Sequence, residues 1–244
     1  NEGARGKWVI MLPVIIGSAI MSVCIWVYWN DASEAGQLPK YVSAIVTLVY
    51  TGAYILLREE GVNEGLSDFK PNLTPREVLK LGSFGGTYWR PIHSSVTKKN
   101  YKNIDKKYPA SWWKGIPDNW MTTEWDKYDK KINKYGVKCG SSLETWEKSG
   151  WIIEQDPYGW FQWYCRYSMG RRSDDDERQI KRWLALAGPN GRFRRRLMNE
   201  IIKKKKRYND SSVSPVIRQV LLHWGYELTS KDLQKYKNKL KKQS

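Results

Sequence analysis

Hydrophobic positions fall along this chain in two regimes. Residues 8–29 and 41–57 run for 22 and 17 positions without a charge, whereas from residue 58 onward apolar residues alternate with many charged ones. A bilayer crossing needs about 20 apolar residues (range roughly 17–25), so the first regime predicts two transmembrane helices. The first run carries Trp8 at one end and Trp26, Tyr28 and Trp29 at the other, and Tyr41 opens the second. Amphipathic rings of this kind settle at headgroup depth. Gly17, Ser18 and Ser22 face Ser43, Ala44, Thr47, Thr51 and Gly52 as small-residue surfaces on which two helices pack closely into a hairpin. A cleaved signal peptide is disfavoured, because the first run is long and bulky and has no small-residue cleavage site before the second.

The second regime predicts a mostly helical domain. Thr74, Pro75 and Glu77 form a capping box with proline at the first helical position, and Gly82 supplies the stop. Thr122 or Thr123 caps a run through Lys134, Ser141 with Glu144 precedes Trp146, and Asp156-Pro157 opens a helix carrying Trp160, Trp163, Tyr164 and Tyr167 on one face. The next helix starts at Ser173, with Asp174, Asp175 and Asp176 at its positive dipole end, and stops at Gly188-Pro189. Phe193, Leu197 and Ile201 mark a helix running into Lys203 to Arg207. Ser214-Pro215 caps one with Val216, Val220 and Trp224 in register, and Ser230 caps a last basic helix through Lys242. Strand signals are few, being limited to short stretches near Ile152 and Tyr88. The expected fold class is mainly α: a two-helix transmembrane hairpin in 1–57, a linker in 58–72, a Trp-rich helical domain in 73–228 and a basic helix or tail in 229–244.

Charge changes the picture by pointing to a partner. The net charge is +17, and residues 1–57 contribute nothing to it, since Arg5, Lys7 and Lys40 offset Glu2, Asp31 and Glu34. So basic a domain seeks phosphate, lipid headgroups or an acidic protein face. The candidate contacts are Arg171 and Arg172, Arg192, Arg194, Arg195 and Arg196, and Lys203, Lys204, Lys205 and Lys206, with a further lysine-rich stretch from Lys235 to Lys242. Eleven tryptophans stand between Trp89 and Trp224. Among them, Trp89 and the Trp160, Trp163, Tyr164 and Tyr167 face serve as aromatic core or as contact surface, core being the favoured reading because a domain of this size must bury large rings. The 11-residue connection NDASEAGQLPK is net acidic while basic residues flank both runs, so both termini face the cytoplasm-equivalent side.

Chemistry is sparsely signalled. Cys24, Cys139 and Cys165 are too few for a disulfide framework and read as free thiols. Cys139, Cys165, His93 and His223 lack zinc spacing, so no metal or cofactor is expected. Asp174 to Glu177 read as capping and dipole partners in preference to magnesium ligands or an endonuclease site. Residues 82–88, GSFGGTY, lack the Lys-Ser/Thr of a phosphate loop and read as a tight turn after a helix. No nucleophile and base arrangement is signalled, and no small-molecule substrate is evident.

At GSFGGTYWRPI, DPYGWFQWYCRYSMGRRSDDDERQIKRW and VIRQVLLHWGYEL the chain resembles an uncharacterised domain found in large DNA viruses of algae and amoebae and in some fungi and protists. The similarity covers roughly residues 71 to 228 and carries no catalytic assignment. It implies a viral setting. Joined to the hairpin, it leads to the expectation of a non-enzymatic minor capsid protein of a large icosahedral DNA virus. Such a protein sits in the virion's internal membrane, with its basic domain facing the capsid and contacting capsid proteins. A membrane-tethered nucleic-acid-binding protein is the second expectation.

Overall fold

The computed structural model describes residues 68–242, together with Val49 and Thr51, both helical. The chain divides into two compact units, Asn1–Glu64 and Gly65–Ser244. Within the second unit the described residues form eight α-helices and one two-stranded antiparallel sheet.

The expected fold class is corrected here. Among the described residues no helix is long and apolar enough to cross a membrane. The longest have 12 residues, about 18 Å at 1.5 Å per residue, against a hydrocarbon core of about 30 Å. The runs 8–29 and 41–57, with Trp8, Trp26, Tyr28, Trp29 and Tyr41, lie outside the described residues apart from Val49 and Thr51.

Helix α1 (Pro75–Lys80) has the capping box its sequence predicts: the Thr74 hydroxyl accepts from Glu77 N–H, and the Glu77 carboxylate accepts from Thr74 N–H at 2.7 Å. A turn then leads to β1 (Ile92–Ser94) and β2 (Lys99–Tyr101), paired antiparallel with Ile92 opposite Tyr101. After α2 (Ala110–Trp113), no α-helix forms between Thr122 and Lys134, contrary to the capping pattern there. Both threonine hydroxyls donate backward, to the carbonyls of Asp118 and Asn119, and the Thr123, Asp129 and Lys134 amides bond to the carbonyls of residues 82–86, a pairing incompatible with a helix here.

Helix α3 (Leu143–Lys148) is capped by Ser142, one residue later than Ser141. Its Glu147 accepts from the Ser94 and Ser95 hydroxyls and the Ser95 amide at 2.6–3.0 Å, tying the hairpin to the helix. Helix α4 (Trp160–Ser168) starts at Gly159, three residues past Asp156. The Tyr88 hydroxyl takes the place of a side-chain cap, accepting from Gln162 N–H at 2.8 Å and donating to the Tyr158 carbonyl at 2.7 Å.

Helix α5 (Asp176–Leu186) packs against α6 (Arg192–Lys203), which packs against α7 (Pro215–His223). Helix α8 (Ser230–Lys241) is capped by Thr229, with Asp232 in its first turn. The face predicted on α7 is corrected as well. Arg218, Gln219, Leu221, Leu222 and His223 are its buried residues, while Val216 is exposed and Val220 and Trp224 are half-buried.

Aromatic rings fill the centre. Trp89, Trp163 and Trp183 are fully buried. Phe69 meets Trp160, Trp163, Tyr164, Tyr167 and Trp183 edge-on, with centroids 5.2–6.1 Å apart. Edge-on pairs of this kind add about 0.5–1.5 kcal/mol each beyond the area they bury. Phe69 and Asn72, within the segment expected to be a linker, thus belong to the folded unit, and Asn72 exchanges two hydrogen bonds with the Glu227 backbone at 2.8 and 2.9 Å.

Candidate functional site: an aromatic cleft rimmed by arginines

The glycine-rich turn after α1 forms one wall. Gly82 and Gly86 have φ of +94° and +80°. A Cβ on Gly82 would stand 2.0 Å from the Ile132 carbonyl oxygen, and one on Gly86 would stand 2.3 Å from that of Asn119. The glycines thus admit a passing strap of backbone. Residues 119–134 cross over them, with Thr123, Asp129 and Lys134 amides donating to the Gly86, Gly85 and Gly82 carbonyls at 3.0–3.1 Å.

Helix α7 holds this wall from the other side through two polar residues one turn apart. Gln219 donates to the Gly82 carbonyl at 3.0 Å and accepts from Tyr135 N–H at 3.0 Å. His223 Nε2 accepts from Phe84 N–H at 3.0 Å, which leaves the ring proton on Nδ1, 3.5 Å from Cys139 Sγ. Phe84 stacks on the imidazole at 4.1 Å. Burial pushes His223 down to about 3 and the Cys139 thiol up to about 12. Both groups are held neutral, opposite to the thiolate and imidazolium that cysteine nucleophiles use.

Between these walls opens a cleft of about 570 Å³. That volume lies within the range of about 300–1,000 Å³ usual for ligand sites. Tyr88, Trp160, Phe161 and His223 are among its lining, and Trp125 and Trp151, 36% and 45% exposed, stand at the rim. Three arginines also line it. Arg90 lies 5.0 Å over Trp125, Arg182 lies 5.6 Å over Trp151 and 5.5 Å over Trp224, and Arg192 lies 4.9 Å over Phe193. Arg90 is held by the Thr87 carbonyl and Arg182 by the Gln179 amide oxygen, each at 3.0 Å. Among the described residues none of the three forms a salt bridge. Burial, and then the neighbouring charge of Arg178, lower Arg182 to about 10, so it remains cationic at neutral pH.

The structure divides the basic residues singled out in the sequence into internal struts and free surface. Arg171 reaches the fully buried Asp156 carboxylate at 2.6 Å, joined there by Arg166 at 3.0 Å. Arg194 is buried between Asp232, at 2.5 Å, and the Tyr226 ring, at 4.5 Å. Arg172 lies on the Tyr167 ring at 3.8 Å. Arg192, Arg195 and Arg196 are exposed along α6, and Lys203, Lys204, Lys205 and Lys206 are exposed at its C-terminal end. There the negative end of the helix dipole favours them. Lys204 and Lys206 make only long contacts, 4.0 Å to Glu200 and 3.7 Å to Asp210.

The aromatic candidates Trp89, Trp160, Trp163 and Tyr164 are buried, and Tyr167 is half-buried beneath Arg172. Trp163 Nε1 donates to Asp176 at 2.8 Å, and Asp176 also accepts from Ser173. Asp175 pairs with Arg178 and Gln179, and Glu177 with Lys181. Asp175, Asp176 and Glu177 are thus engaged in structural contacts around the start of α5, and Asp174 is exposed. Among the described residues no group of three or more histidines, cysteines and acids is placed to hold a metal ion.

Sequence reading missed the cleft, because Arg90, Trp125, Trp151 and Arg182 come from four separated segments. Gln219 and His223 were likewise not read as a pair, although their spacing of four puts them on one helix face; that this face meets the glycine-rich turn is set by the tertiary fold. Comparison with protein-family models, curated proteins and solved structures gave no match to the chain.

Proposed function

We propose that this chain is a non-catalytic structural protein of a large icosahedral virion, a minor component whose basic folded unit grips a neighbouring shell protein. The viral setting is supported by the resemblance of residues 71–228. A place beside the internal membrane is supported by the composition of residues 8–29 and 41–57 alone. The observation that carries the choice of a protein partner is the state of the exposed and half-buried rings. Trp125 already has Arg90 and Lys138 over it, Trp151 has Arg182, and Tyr167 has Arg172. Binding single strands by stacking needs free aromatic faces. Here a cation already stands over a face of each of these rings, so charge accompanies every one of them, which suits carboxylates on a protein surface.

Cross-linking of intact purified particles, read by mass spectrometry, tests this. Lysines 203–206 are expected to link to shell proteins. Absence of the chain from purified particles, or ultraviolet cross-links to the genome with none to shell proteins, overturns the proposal. The nucleic-acid reading is favoured by the charge of +17. It predicts binding to DNA that weakens steeply with salt.

A further inference from the structure

The cleft between the glycine-rich wall and α5 has the construction of a socket, and we infer that it receives an acidic peptide segment of a partner protein, anchored by one aromatic or large aliphatic side chain. The inference rests on the preceding reading only for where that partner is found. Two features define the occupant. The interior is made of ring edges and aliphatic groups, including Tyr88, Trp160, Phe161 and Ile152, and so takes an apolar side chain. Around it Arg90, Arg182 and Arg192 each lie over an aromatic ring, and among the described residues none of them makes a salt bridge; Glu144 and Glu124 act on Arg90, and Asp175 on Arg182, only from longer range.

A guanidinium held over a ring by cation–π attraction still has N–H donors to spare, from which a carboxylate can accept two parallel hydrogen bonds. Three cations on separate shelves match charges spread along a chain on either side of the anchor. Arg166 and Arg171 share the Asp156 carboxylate and Arg194 has Asp232, while Arg195, Arg196 and Lys203–Lys206 are exposed along α6 and at its end and are not part of the cleft lining. The socket is where positive charge without a salt bridge among the described residues coincides with apolar space. A nucleobase is the poorer fit, since entering between Arg182 and Trp151 or Arg90 and Trp125 breaks the contact that orients the cation.

Fluorescence anisotropy with the full-length chain tests the inference. The probe is a fluorescein-labelled pentapeptide, Asp-Glu-Phe-Glu-Asp, compared with the same peptide carrying Gly for Phe and with one carrying Lys for every acid. The acidic Phe peptide is expected to bind at least tenfold more tightly than either control. Arg182→Gln is expected to weaken it by roughly tenfold, the loss of one charge-assisted hydrogen bond. Ala185→Trp, at an exposed position on the cleft wall, is expected to abolish binding while leaving the circular dichroism spectrum and melting temperature unchanged. Equal binding of the three peptides overturns the inference, as does binding that is indifferent to Ala185→Trp in a protein that remains folded. Binding of a labelled oligothymidylate that Ala185→Trp abolishes also overturns it, in favour of nucleic acid. These outcomes are separate from the particle cross-links, which succeed or fail whatever occupies the cleft.

Discussion

Replacing Asp156 by asparagine should unfold this domain more readily than almost any other isosteric change. The carboxylate is wholly inaccessible and receives Arg166 at 3.0 Å and Arg171 at 2.6 Å. Burial raises its pKa, and the two guanidiniums pull it back toward ionisation. Asparagine keeps the shape, removes the charge and brings an N–H2 group toward cations that need an acceptor. Breaking a buried ion pair by deleting one partner costs about 3–5 kcal/mol. Arg166 and Arg171 are 29% and 25% exposed, so water recovers part of that loss. The expected cost is about 2–3 kcal/mol after this discount, which corresponds to roughly 4–12 °C in melting temperature for a unit of this size. Urea unfolding followed by tryptophan fluorescence measures it directly, because eleven of the chain's tryptophans lie between Trp89 and Trp224. A double-mutant cycle with Arg171→Gln should return a coupling above about 1 kcal/mol. A loss below about 0.5 kcal/mol in Asp156→Asn, or additive losses in the cycle, would refute the view that this triad holds the start of α4 to the Arg171 turn.

Other expectations concern the glycine wall and its supports. Gly82→Ala sets a Cβ 2.0 Å from a backbone oxygen at positive φ, so it should cost more than about 3 kcal/mol or prevent folding, read by the same urea titration. Tyr88→Phe strands the Gln162 amide and the Tyr158 carbonyl in the core and should cost about 1–3 kcal/mol; a neutral result would mean that water or another group caps α4. His223 is buried neutral, with its pKa lowered from 6.5 to about 3, so below pH 6.5 the unfolded chain takes up a proton that the native one refuses. Stability should therefore fall by up to about 1.4 kcal/mol per pH unit between 6.5 and 3. In His223→Gln that part of the slope should vanish, and an unchanged slope would show that the ring is solvated.

How far the sequence revealed the fold depended on the range of the interaction. The box at Thr74 and Glu77 forms as read because all its atoms lie within four residues. The cap before α3 is displaced by one residue, from Ser141 to Ser142, where two serines compete for one role. The 122–134 run fails as a helix because its amides find carbonyls near Gly82, some forty residues upstream, and no local rule anticipates that. On α7 an apolar spacing at Val216, Val220 and Trp224 misled, since the buried face is fixed by what Gln219 and His223 grip. Arg171 and Arg194 looked like the surface arginines beside them, and only the positions of Asp156 and Asp232 separate strut from contact. Phe69 stood in a polar stretch with nothing to mark it as the hub of five rings.

That ring hub also decides how the domain bears a load. A pull on the chain at residue 68 reaches Phe69 first, and to pass further it must draw one ring out from among five. The next links are the paired bonds between Asn72 and the Glu227 backbone and the bond from Leu73 N–H to the Gly225 carbonyl. Tension entering there is handed straight to the segment between α7 and α8. A load entering there is thus resisted by core rings and by hydrogen bonds to a segment 155 residues away in sequence before any helix of the domain can be drawn off.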